Sequence, residues 1–144
     1  MRENTLNLLG LMRRANAIAI GETNTGAAVK SGKARLLLTA SDASDNARHR
    51  VAGFSASSNV PEVSLPFTKA EISARVGLNG CSMAAVLDLG FSAALMKNLA
   101  AMYPNDYGDL ALTIEERNVR ARRRRDGAAA REKNKRNGKR RNSV

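Results

Sequence analysis

The sequence predicts an α/β fold, and three observations carry that expectation. Leu36, Leu37 and Leu38 form a continuous apolar run bounded by Gly32 and by the polar stretch from Ser41 to Asn46. Such a run fits a central strand buried on both faces. Helix-spaced and strand-like segments alternate from Thr5 to Met102, the pattern of a sheet covered by helices. Thr68-Lys69-Ala70-Glu71 has the form of a capping box, and Gly77 follows as a stop, which brackets one of those helices.

Taken in order, Thr5 to Ala15 places Leu6, Leu9 and Met12 at helical spacing. Asn4 or Thr5 is the expected cap, and Arg13 and Arg14 suit the negative end of the helix dipole. Ala17 to Ile20 reads as a short strand. Gly21 turns the chain, and Thr23 or Asn24 starts a helix that ends at Gly32. After the leucine strand, Ser41 to Asn46 offers N-cap residue types for a helix over Ala47 to Ser57. Val60 to Leu65 reads as a strand, and Pro61, which has no amide hydrogen, places it near an edge or makes it start late. Met83 to Leu87 is a second buried strand. A last helix starts at Gly90-Phe91 and carries Leu95, Leu99 and Met102 on one face. Strand order does not follow from periodicity.

The chain has 144 residues, of which 43% are hydrophobic, enough for one ordinary domain and a tail. Its formal net charge is +11 and its pI is near 10.9, a balance that favours a polyanionic partner. The charge is uneven: eleven Lys/Arg stand against seven Asp/Glu up to residue 104, and thirteen against six beyond it. Pro104-Asn105-Asp106-Tyr107-Gly108 is rich in turn formers and marks the expected boundary. Residues 105–144 then read as a basic tail, with Arg122, Arg123, Arg124 and Arg125 consecutive, too poor in apolar residues to offset ordering entropy and so expected to be disordered. No long apolar span or signal-peptide pattern occurs, so the expectation is a cytoplasmic protein with no membrane partner.

Chemistry-bearing patterns are sparse. Gly21-Glu22-Thr23-Asn24-Thr25-Gly26 has the glycine spacing of a phosphate-binding loop, but Ala27 and Ala28 stand where that loop needs Lys and Ser/Thr. Asp42 and Asp45 read as helix-dipole partners. His49 is the single histidine, and it has no nucleophile and orienting acid to complete a triad. Cys81 is the single cysteine, so no intrachain disulfide forms, and no Cys/His set has metal-ligand spacing. The expectation is a non-enzyme without cofactor or metal. Aromatic residues are 3% of the chain, and Phe54, Phe67 and Phe91 lie in no stacking motif, which argues against single-strand binding on aromatic platforms.

The stretch GKARLLLTASDASDN, Gly32 to Asn46, resembles the strand-to-helix signature of the ribosomal-protein family typified by archaeal L-seven-Ae and eukaryotic L-thirty-e, and within it the small bacterial YlxQ type. LGLMRRANAIAIGE, VPEVSLPFTKAEISARVG and AAVLDLGFSAALMKNL follow the same family in the same order, so the resemblance spans about Leu6 to Met102. It implies a three-layer α/β/α sandwich around a four-stranded mixed sheet that binds structured RNA, typically a kink-turn. It also implies an RNA surface from three pieces: Gly21 with Thr23, Asn24 and Ala27; Ser44 with Arg48; and Leu78 with Asn79 and Gly80. Lys30, Lys33 and Arg35 add positive charge in this reading. Kink-turn binders of the family carry Asn, Glu and Lys where this chain has Thr23, Asn24 and Ala27.

Two expectations follow. One is a ribosomal-protein-like binder of structured RNA, monomeric when free, with the ribosome as a candidate partner and a tail that adds phosphate affinity. The alternative is a protein-interaction adaptor that keeps the fold and has lost specific RNA recognition.

Overall fold

A computed structural model describes the backbone of residues 1–142 and the side chains of residues 1–135. The elements run α1 (Arg2–Arg14), β1 (Ile18–Ile20), α2 (Glu22–Lys30), β2 (Leu36–Thr39), α3 (Asp45–Ser58), β3 (Glu62–Ser64), α4 (Lys69–Val76), β4 (Met83–Val86), α5 (Leu89–Met102) and α6 (Pro104–Asn142). The sheet has the order β1-β4-β2-β3. β4 is antiparallel to both of its neighbours, and β2 is parallel to β3. β3, with Pro61 just before it, is an edge strand as expected.

Alternation along the leucine strand sorts the core into two faces. Leu36 and Leu38 join Leu9, Met12, Phe67, Ile72, Leu95 and Leu99 on the face covered by α1, α4 and α5. Leu37 points the other way, toward Ala28, Ala47 and Val51 of α2 and α3. The result is a three-layer α/β/α sandwich around a mixed sheet.

Local chemistry sets most helix ends. Ser44 caps α3 by accepting from the Ala47 amide. Thr68 and Glu71 form the full capping box, and Gly77 closes α4 at φ 73°. Arg2 reaches across to ion-pair with Glu71 and stacks over the Phe67 ring at 4.9 Å. The Thr68 amide and then Arg2 hold the Glu71 carboxyl below the usual carboxylate range. Other ends differ from the sequence reading. α1 starts at Arg2 with Met1 as its N-cap, and Thr5 is an interior residue whose hydroxyl donates to the Met1 carbonyl. α5 starts one residue before Gly90 and is capped by Asp88, which accepts from the Phe91 amide.

The largest difference lies beyond residue 104. In place of a disordered stretch, Pro104 starts α6, a helix of 39 residues. Tyr107 donates to the Ser64 carbonyl at 2.7 Å, Ile114 is 0% exposed and Asn118 is also buried. Residues 107, 110, 111, 114 and 118 make a helical stripe that packs on α5 and extends the core. Composition hid this stripe because a few apolar residues at the right spacing suffice when the rest of the helix faces water. Beyond residue 118 the helix carries Arg122 to Arg125 exposed. The part of the basic stretch at 143–144, and the side chains from 136, lie outside the described residues.

Candidate nucleic-acid interface

The carboxyl ends of β1 and β2 and the amino end of β4 meet at one pole of the sheet. The Gly21 amide donates to the Met83 carbonyl and the Ala40 amide to the Ser82 carbonyl, which ties the three connections together. Gly21 sits at φ 92°, a backbone state that suits glycine. A Cβ there would come 3.9 Å from the Gly80 carbonyl, so the turn before α2 abuts the loop before β4. The structure thus brings together Gly21, Thr23 and Asn24, the Ser44 region, and the loop with Leu78, Asn79 and Gly80.

α2 begins at Glu22 with Gly21 as N-cap and without a side-chain cap. Neither Thr23 nor Asn24 caps it; both are exposed in the first turn. The first intrahelical donor is the Thr25 amide, to the Gly21 carbonyl, so the amides before it are left for solvent or a ligand. Asn24 donates from Nδ2 to the Ile20 carbonyl at 2.9 Å. That bond engages the Nδ2 of an exposed side chain, and its Oδ1 has no partner among the described residues. Ala27 is exposed one turn on, and Leu78 is 38% exposed. The Thr25 hydroxyl is buried beneath this turn without a hydrogen-bond partner.

Between α2, α3 and the loop before β4 lies an open groove of about 510 Å³, lined by Glu22, Ser44, Asn46, His49, Arg50 and Ser82 among others. Arg50 crosses it to Glu22 at 2.6 Å. His49 and Arg50, on the exposed side of α3, were not in the expected set. The signal that would have found Arg50 is a helix-face argument: Asn46, His49 and Arg50 are spaced i, i+3 and i+4 and so share one face of α3.

Two groups of expected site residues sit differently. Arg48 turns back on its own loop, donating to the carbonyls of Ala40, Ser41 and Ala43 and to the Ser64 hydroxyl. It braces the β2–α3 connection, and Ser44 likewise serves as a cap. Lys30 and Lys33 lie at the opposite pole, because α2 runs the length of the sandwich and Lys30 is its last residue. Arg35 is also there, at the entry to β2, its amide bonded to the Val86 carbonyl. The three cations therefore do not belong to the Gly21 surface, where Arg50 is paired and no lysine occupies position 27.

Asp42 and Asp45 do act at helix starts, but on two different helices. Asp45 is in the first turn of α3, whereas Asp42 accepts from the Lys69 amide at the start of α4, at 2.8 Å. Cys81 is buried, its thiol directed to the Leu78 carbonyl. Among the described residues no group of three or more His, Cys, Asp or Glu is placed to hold a metal ion, and no helix is long and apolar enough to cross a membrane.

This architecture is the L-seven-Ae type of sandwich. A Giardia lamblia 15.5kD RNA binding protein shares it with a TM-score of 0.53 at 20% identity, over 67% of this chain and 84% of that one. A Bacillus halodurans protein of unknown function superposes with a TM-score of 0.58 at 27% identity, over 63% of this chain and 91% of that one. No family model matches the sequence. The RNA-binding protein YlxQ of Enterococcus faecium is 37% identical over 76 residues, 53% of this chain and 73% of that protein. The chain belongs to the YlxQ family.

Proposed function

We propose that this protein is a non-enzymatic binder of structured RNA, in the cytoplasm, that engages a kink-turn or a related folded element through the Gly21 pole. The observation that carries the reading is the joining of an uncapped helix start to a glycine-containing loop and a capped second helix. Backbone amides at a helix start favour phosphate. The Oδ1 of the exposed Asn24 is an acceptor for a base edge, and Leu78 is an apolar residue for a splayed base. A relative named as an RNA-binding protein supports the same partner. In this reading the basic part of α6 adds phosphate affinity without selectivity, since phosphate contacts position and base contacts specify. Six to eight such contacts correspond to a slope of log affinity on log salt of roughly −4 to −6.

The test is competition binding of the full chain to a kink-turn RNA and to a plain RNA duplex at fixed salt. Asn24→Ala is expected to cost about 1–3 kcal/mol against the preferred RNA and little against the duplex. Asn24→Glu with Ala27→Lys is expected to strengthen kink-turn binding. A kink-turn to duplex ratio that neither variant moves rejects this surface. One observation favours the adaptor alternative: Ala27 supplies no charge and Glu22 holds Arg50, so the pole is close to neutral. A ratio unchanged in both variants, with the fold retained, moves the adaptor reading ahead.

A further inference from the structure

α6 returns antiparallel along α5, so its seventeenth residue or so comes level with the start of α5. There its charge reverses. Residues 104–116 hold four acids and no base, whereas residues 117–125 hold six arginines and no acid. The stripe that buries Ile114 and Asn118 continues through Ala121 to Arg124 and Arg125 at helical spacing. These arginines therefore overhang the sheet pole opposite Gly21.

Two adjoining grooves lie beneath them. One, of about 440 Å³, is lined by Arg35, Arg117 and Arg124 with Asn59, Val60 and Pro61 among its walls. The other, of about 280 Å³, is lined by Arg35, Arg125, Asp88 and the first residues of α5. Arg35 belongs to both. Its Nη1 donates to the carbonyls of Gly32 and Ala34, which holds the guanidinium at the rim. Arg117, Arg124 and Arg125 have no hydrogen bond or ion pair among the described residues. Asp88 is the one acid in either lining, and it is engaged with the Phe91 amide.

We propose that this cleft between α6 and the entry to β2 is a second nucleic-acid site, one that holds a phosphodiester backbone. Four guanidiniums in two adjoining grooves suit a linear array of phosphates, and the lining offers no aromatic ring for a base to stack on. Unlike a free basic arm, the site includes a residue of the sandwich, Arg35. It lies at the opposite end of the strands from the Gly21 surface, so the protein can hold two backbone segments at once. The inference rests on RNA as the partner and assigns most of the phosphate affinity to this end, where Lys30 and Lys33 also lie.

The experiment measures full-chain affinity for a plain RNA duplex across a salt series, for Arg35→Ala, Arg124→Ala, their double variant, and Arg131→Ala as a distal control on the exposed end of α6. Arg35→Ala and Arg124→Ala are each expected to reduce the steepness of the salt slope by about one, and the pair is expected to be non-additive because both face one backbone. Arg131→Ala is expected to change it less. An Arg35→Ala slope equal to wild type, or an Arg131→Ala loss equal to that of Arg124→Ala, overturns the cleft while leaving RNA binding in place. Displacement of the duplex by poly-glutamate as readily as by RNA at equal charge overturns it in favour of an acidic protein partner. A wild-type chain that binds neither duplex nor kink-turn RNA overturns both this site and the proposed function. Arg35 is exposed, and an unchanged thermal melt of its variant separates lost contact from lost fold.

Discussion

Replacing Ile114 by Ala asks whether α6 is part of the fold. Ile114 is 0% exposed and packs into the cluster that contains Leu95, Leu99 and Met96. The substitution removes three buried carbons. At about 0.8 kcal/mol each this gives roughly 2.4 kcal/mol of lost transfer free energy. A cavity adds to that figure, and partial collapse offsets it, because α6 lies on the flank and can settle inward. The expected cost is about 2–3 kcal/mol, at the low end for a core Ile→Ala. For a chain of this size that lowers the melting temperature by roughly 10 °C. The assay is thermal and urea denaturation of full-length protein beside Leu112→Ala, whose side chain is on the same helix but 67% exposed. Leu112→Ala is expected to stay within about 0.5 kcal/mol of wild type. The same reasoning holds that truncation after Met102 uncovers the α5 face and destabilises the sandwich. An Ile114→Ala melt that coincides with that of Leu112→Ala would refute the docking of α6 and return residues 105 onward to a free tail.

Gly10→Ala is expected to destabilise by about 1–2 kcal/mol, although Ala is the better helix former. A Cβ at Gly10 would lie 2.9 Å from the Arg75 carbonyl oxygen, so the α1–α4 crossing must open, and that outweighs a propensity gain of up to about 1 kcal/mol; urea midpoints decide the sign. Arg48→Ala is expected to cost about 1.5–3 kcal/mol through its carbonyl contacts and to weaken RNA binding only by loosening the β2–α3 loop. Arg48→Lys should not rescue it, since one ammonium cannot span those acceptors. Glu71 has a lowered folded value, so its contribution is present above the ordinary carboxylate range and is lost as pH falls through that lowered value. Acid titration of stability is therefore expected to show a smaller acid-side drop for Glu71→Gln than for wild type.

The sheet was legible because one rule decides it. A run such as Leu36-Leu37-Leu38 has nowhere stable to go except between two helical layers, so its place is fixed by local composition. Capping is equally local: Ser44 and the Thr68/Glu71 box lie within three residues of the amides they serve. Asp88 was missed because the Gly90 beside it looked like a start, and Met1 because no side chain marks it. The sequence alone thus determined the α/β class, the central strand, most element positions and the excess of positive charge.

What tertiary structure decided is which distant residues share a surface. Lys30, only six residues after Asn24, is at the other end of the sheet because a helix carries its last residue away from its first. Arg48 sits beside the Gly21 pole yet faces inward, since three backbone carbonyls there need a donor. Arg35 and Arg124 are 89 positions apart, and they meet only because α6 folds back along α5. A helix stripe as sparse as Tyr107, Ile114 and Asn118 specifies nothing until α5 offers a surface to cover. Burial is a property of pairs of elements, and pairing is what a linear pattern does not contain.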